Sequence, residues 1–133
     1  MDQEFLAEFK TAKPTFKAEA FYNEHGDCID YQTVDEPFYG DRLNSLVTVY
    51  RSMRDRRVIG FLVKGVRRIL QTIDCNIMAI GTAEDANGSI AIIRIVMAAM
   101  EVAAEEPTEE QREALNAIIQ SLGDQSLPIR RAA

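Results

Sequence analysis

A chain of 133 residues fits one domain and can bury a core without disulfide or metal staples. With 47% hydrophobic and 27% charged residues, its composition excludes disorder over most of the length. A net charge of −6 argues against a general nucleic-acid binder, and no apolar run reaches the ~18 residues of a membrane span.

The longest apolar stretch, Ile90 to Ala104, is interrupted by Arg94 and Glu101. The acidic start, Met1-Asp2-Gln3-Glu4, lacks the basic and apolar regions of a secretory signal. The expected setting is a reducing cytoplasm, with Cys28 and Cys75 as two reduced thiols. His25 is the one histidine, and with two distant cysteines it makes no zinc motif, so neither a metal nor another cofactor is expected. The charge is unevenly spread. From Arg42 to Arg68 there are eight basic residues against one acid, so that segment carries +7 and leaves −13 for the rest.

In chain order, residues 2–11 read as a short amphipathic helix or arm, with Phe5, Leu6 and Phe9 on one face and Pro14 beyond it. Phe16–Tyr22 and Cys28–Val34 are rich in aromatic and β-branched residues and predict a hairpin turning at Asn23–Asp27. Asp35–Asp41 reads as a loop broken by Pro37 and Gly40. Leu46–Tyr50 and Val58–Val63 predict a second hairpin with Arg54–Arg57 at its tip, while Gly60 and Gly65 mark a bulge or close approach. Both faces of this pair are apolar, which predicts cover on both sides by helices or a second subunit.

Val66, Ile69, Leu70 and Ile73 predict a helix over 66–72, whereas 74–81 fits helix or strand equally. Asn87-Gly88-Ser89 reads as the start of a long, mostly apolar helix, Ile90–Glu105, serving as the core helix or a dimer seam. Met97 and Met100 on it suit an adaptable surface. Thr108 and Gln111 form a capping box for a helix over 109–122 that stops at Gly123. Residues 124–133 read as a tail. The fold class is therefore α+β in a single domain over 1–133. It comprises an arm (1–14), a four-stranded antiparallel sheet of two hairpins (15–65), a helical half packed on it (66–123) and the tail.

The stretches Phe21-Tyr22-Asn23-Glu24-His25-Gly26-Asp27-Cys28-Ile29, Tyr39-Gly40-Asp41-Arg42-Leu43-Asn44-Ser45-Leu46-Val47-Thr48-Val49-Tyr50 and Val58-Ile59-Gly60-Phe61-Leu62-Val63-Lys64-Gly65-Val66 carry a resemblance. Over about residues 20–70 the chain resembles small uncharacterised bacterial proteins with paired hairpins and an Ile/Val-Gly-hydrophobic strand. It is also loosely similar to a shorter bacterial domain of unknown function whose genes can lie beside toxin genes. That resemblance implies antitoxin-like binding and assigns no catalytic residue.

The chemistry-bearing residues form no catalytic constellation. Asp27, Asp30, Asp35, Glu36 and Asp41 read first as solvated turn residues and only secondarily as an oxygen cage for a cation. His25 lies at a turn tip, and Ser45 and Ser52 lack a nucleophile elbow. Asn87-Gly88-Ser89 offers one glycine, short of a phosphate loop. The reading is a non-enzymatic interaction or regulatory protein, a homodimer with a protein partner and no membrane contact. In it apolar burial supplies affinity, and Arg54, Arg56, Arg57, Arg67 and Arg68 supply charge complementarity. Two alternatives stand beside it. One is a small-ligand or anion site, or an enzyme, in loop 35–45 using Tyr39, Asp41 and Arg42. The other is nucleic-acid binding through the arginine-rich hairpin, which requires those arginines on one face.

Overall fold

The computed structural model describes residues 16–132, so the segment 2–11 lies outside the described residues. Eight strands and three helices follow in the order β1 (Phe21–Asn23), β2 (Cys28–Gln32), β3 (Phe38–Arg42), β4 (Val47–Ser52), β5 (Val58–Lys64), α1 (Val66–Ile73), β6 (Ile77–Ile80), β7 (Gly88–Ala91), α2 (Ile92–Val102), α3 (Glu109–Leu122) and β8 (Ser126–Arg131). They form two antiparallel sheets, one of five strands in the order β1-β2-β5-β4-β3 and one of three in the order β6-β8-β7. The α+β class stands, and the four-stranded sheet is corrected to five strands plus a second sheet.

The two expected hairpins are present, β1–β2 and β4–β5, and β2 joins them by pairing with β5. The fifth strand, β3, occupies the segment expected to be a loop. Its pattern gives no apolar alternation because it is an edge strand exposed along most of its length. Pro37 just before it and Gly40 within it are tolerated at an edge, where ladder bonds are needed on one side only.

Three further expectations change. Ile90 belongs to β7, so the long helix starts at Ile92, and Asn87-Gly88-Ser89 leads into a strand rather than a helix N-terminus. Residues 77–80 resolve as strand β6. The expected tail is β8, the centre of the small sheet, with Leu127 and Ile129 buried. Pro128 fits there because β6 ends at Ile80: its carbonyl faces that side and accepts from Gly81 N–H at 2.9 Å, so the missing N–H forgoes only one bond, just past the end of the ladder.

One face of the five-stranded sheet is the floor of the core. Ile29, Tyr31, Val47, Val49, Phe61 and Val63 line it and are essentially fully buried. The ring centroids of Tyr31 and Phe61 lie 5.4 Å apart. Tyr31 Oη donates to Ser121 O in α3 at 3.1 Å and lies 2.9 Å from Ser121 Oγ. The buried Asn44 accepts from Leu46 N–H and Val47 N–H, both at 2.8 Å, and donates through Nδ2 to Met100 Sδ in α2 at 3.4 Å. α2 and α3 are thereby held to the sheet by polar contacts as well as by apolar burial. The opposite face is largely open among the described residues: Phe21 and Phe38 are exposed and Asp30, Thr48 and Leu62 are half-buried, while Tyr50 and Ser52 are buried there, the Tyr50 ring 4.2 Å from that of Phe38. Among the described residues, helices cover one of the two faces.

Two local devices set the hairpins. Gly60 lies in the buried centre of β5, opposite a register shift between Tyr50 and Arg51. A Cβ there would overlap the carbonyl oxygen of Tyr31 and come within 2.9 Å of the Tyr50 ring. Gly65 takes φ 68° before α1, which has no side-chain cap of its own. The cap comes from the first hairpin: the Asp27 carboxylate accepts from Arg67 N–H at 3.2 and 3.3 Å, and Asp27 O accepts from Val66 N–H at 3.2 Å. Tyr22 Oη holds the same carboxylate at 2.6 Å. Burial, with the Asp27 hydrogen bond second, pushes the Tyr22 phenol up to about 12.

Gly60→Ala is expected to cost about 3 kcal/mol, since backbone rather than a flexible side chain blocks the methyl group. Urea unfolding measures this, and a loss within error of zero would contradict the close approach. Asp27→Ala is expected to cost about 1 kcal/mol through the lost cap. Amide exchange should locate that loss at Arg67, whose acceptor is removed, while Val66 N–H keeps the Asp27 carbonyl.

Candidate functional site

The surface around α2 and α3 holds a deep concavity. α2 ends at Val102, a segment without regular structure follows, and α3 begins at Glu109 behind its capping box. Both bonds of that box are present, Gln111 N–H to Thr108 Oγ1 at 3.1 Å and Thr108 N–H to Gln111 Oε1 at 3.0 Å. Between the helices lies a groove of about 570 Å³. Met97, Met100, Ala104, Pro107 and Leu115 give it an apolar lining, and Glu101, Glu105 and Glu106 form its acidic rim. Arg112, also in the lining, is tied to Glu106 at 3.3 Å. The apolar surface continues over α2 through Met97 and Ile93, 51% and 37% exposed, into a shallower hollow with Ile73.

The methionines carried a sequence signal and both line the groove. Pro107 and Leu115 were not singled out, because each matches an ordinary helix boundary or core position.

The arginine tip is partly neutralised. Arg57 pairs with Asp55 at 2.6 Å and with Glu36 at 2.7 Å. Glu36 Oε2 also accepts from the buried Ser52 Oγ at 2.8 Å. The Ser52 and Arg57 hydrogen bonds hold the Glu36 carboxyl below its usual range. Arg54 and Arg56 are exposed, with no ion pair among the described residues, and Arg56 has φ 65°. Arg67 and Arg68 are exposed on α1, beyond the far end of β5. A seven-residue strand is on the order of 20 Å long, so the five arginines fall into two groups rather than one patch.

Loop 35–45 is divided in the same way. Register places Tyr39 and Asp41 on the helix-facing side of β3, opposite Arg51 and Val49. Asp41 Oδ2 accepts from Arg51 Nε at 2.8 Å. These residues join Arg56, Thr108 and Gln111 around a small pocket of about 290 Å³. Arg42 is not part of it. Its Nε donates to Asn44 O at 3.1 Å, and its guanidinium reaches Glu105 at 3.7 Å.

The acidic residues do not gather. Asp27 caps α1, Asp30 lies on the open sheet face, Asp41 holds Arg51 and Glu36 holds Arg57. Among the described residues, no three His, Cys, Asp or Glu side chains are placed to hold a metal ion. Cys28 and Cys75 are free thiols, and no described helix is long and apolar enough to cross a membrane. Comparison of the chain with protein-family models, curated proteins and solved structures finds no match.

On the open face, the Tyr50 ring lies over Gly60, and its hydroxyl lies near Asp30. Burial raises the Asp30 carboxyl above its usual range, opposed by the Tyr50 hydrogen bond. A carboxyl raised in the folded state contributes most below its unfolded pKa. That contribution is lost as pH rises from the unfolded towards the folded value. Asp30→Asn is therefore expected to raise the thermal midpoint at pH 7 and to lose its advantage at and below the ordinary Asp range of about 4. An equal midpoint shift at every pH would contradict this origin.

Proposed function

We propose that the chain is a non-enzymatic interaction or regulatory protein whose protein partner seats an apolar segment in the groove between α2 and α3. The observation that carries this reading is the groove itself: a concave, methionine-lined apolar surface with a carboxylate rim. Methionine side chains repack at little cost, which suits a surface that adapts to a partner. The rim favours a partner with basic residues flanking its apolar anchors.

The arginine tip fits the same reading. Segment 103–107 lines the groove, and the next residue, Thr108, lines the small pocket that contains Arg56. A partner lying across this segment would meet carboxylates on one side and the Arg54 and Arg56 guanidinia on the other. Such bipolar charge fixes orientation and raises the rate of encounter more than it adds affinity. The antitoxin-like binding implied by the resemblance over residues 20–70 is a form of this activity.

The small-anion alternative has a specific footing in the pocket where Tyr39 and Asp41 meet Arg51 and Arg56. The nucleic-acid reading requires the arginines on one face, and they sit at opposite ends of β5.

The test is a pull-down from native host extract with two altered baits. Met97→Asp places a charge on the exposed apolar surface, and a groove partner should weaken at least tenfold, about 1.4 kcal/mol. Replacing Arg54, Arg56 and Arg57 together with Ser should slow association and flatten its salt dependence. Unchanged capture by both baits, or recovery of only a small molecule, would overturn the reading. The small-molecule result would direct attention to Tyr39 and Asp41.

A further inference from the structure

We propose that a second copy of this chain pairs with β3, edge to edge and antiparallel, about a two-fold axis through Tyr39. This is independent of the groove reading, since it rests on a different element. Of the edge strands, β1 has three residues and β6 and β7 have four each, while β3 has five. It also carries more large exposed apolar side chains than the edges β1, with Phe21, and β6, with Met78: Phe38, Tyr39 and, beside Pro37, Met53 are 41%, 38% and 62% exposed. Natural edges are shielded by bulges, covering elements or charge, and the stretch 38–40 has none of these among the described residues.

The hydrogen-bond pattern states which groups are free. Leu43 N–H donates to Val47 O at 2.9 Å and Met53 N–H to Pro37 O at 2.9 Å, so the odd-numbered residues between them face β4. Phe38, Gly40 and Arg42 therefore turn their backbone groups outward. Arg42 O is already taken by Gln111 Nε2 from α3 at 3.3 Å. The unsatisfied stretch is centred on Tyr39, and an antiparallel partner that uses only Phe38 and Gly40 must be centred there too.

That register is complementary in its side chains. Phe38 lies across from the partner's Gly40, where no side chain stands, much as Tyr50 lies over Gly60 within the sheet. Tyr39 meets the partner's Tyr39 on the helix-facing side. Glu36 falls opposite the partner's Arg42, and symmetry repeats each pairing. Arg42 can add this contact while its Nε stays on Asn44 O, because its side chain is 66% exposed and its contact with Glu105 is long, at 3.7 Å. Two-fold pairing of this kind closes on itself and leaves no further edge of this strand to propagate.

Cross-linking reads the register directly. At the axis, two Tyr39 residues form a non-hydrogen-bonded pair with Cα atoms ~4.5 Å apart, within disulfide range. Two Asp41 residues would be ~13 Å apart. In a Cys28→Ser, Cys75→Ser background, Y39C should oxidise to a covalent dimer and D41C should not. Without cross-linking, sedimentation equilibrium should find the unaltered chain dimeric and Phe38→Lys monomeric but still cooperatively folded, at a lower thermal midpoint because its ring leaves that of Tyr50, 4.2 Å away. Met97→Asp should leave the dimer intact, which separates this interface from the groove. A monomeric unaltered chain, a Phe38→Lys protein that remains dimeric, or cross-linking of D41C in place of Y39C would each overturn the proposal.

Discussion

Burial on one side of the large sheet is the constraint from which the remaining features follow. Val49, Phe61 and Tyr31 lie side by side across β4, β5 and β2, with Val47, Val63 and Ile29 forming the next row. All six are essentially inaccessible to water. At roughly 1.5–3 kcal/mol for each fully buried large side chain, these rows are a major source of the fold's stability. Two polar links then fix the helices on this floor, Tyr31 to Ser121 and Asn44 to Met100. Once both helices are committed to that side, the described residues leave their outer groove, much of the far face of the sheet and the β3 edge uncovered. The surfaces assigned to binding are what remains after the core has been satisfied.

The legible parts of the sequence were those whose signals are local and strong. The β-branched runs Leu46–Tyr50 and Val58–Val63 sit in buried central strands, where composition and environment agree. The Thr108–Gln111 box is a short-range device and reads directly as the start of α3. The elements that were missed have signals that are weak or distant. β3 is an exposed edge and needs no apolar alternation. β8 buries only Leu127 and Ile129, and its Pro128 looks like a breaker until the end of β6 explains it. Ile90 is apolar in both descriptions, so composition alone could not decide between the last strand position before α2 and the helix itself. The α1 cap comes from Asp27, some forty residues upstream, so no local pattern around Gly65 announces it.

Charge was visible in sequence, but its arrangement was not. The segment 42–68 carries +7, yet Arg42, Arg51 and Arg57 are engaged by Glu105, Asp41 and Glu36 with Asp55. Much of the excess therefore serves to place loops and helix ends rather than to attract a polyanion. The cations without an ion pair among the described residues divide between the two ends of β5. This division favours orienting one partner at one place over coating an extended backbone. Of the candidate site residues, Tyr39, Asp41 and Arg56 share a pocket, Arg42 stands apart from them, and Arg67 and Arg68 belong to another region.

The most direct test of a one-sided core with two uncovered binding surfaces is residue-resolved amide exchange. It would be run on the dilute chain, then at high concentration, and then with the captured partner. The account predicts that amides of β2, β4 and β5 exchange only on global unfolding throughout. The Phe38 and Gly40 amides should exchange quickly when dilute and become protected as concentration rises. Segment 97–108 should gain protection only with the partner. Protection of Phe38 and Gly40 already present in the dilute monomer, or partner-induced changes confined to α1 and the small sheet, would contradict it.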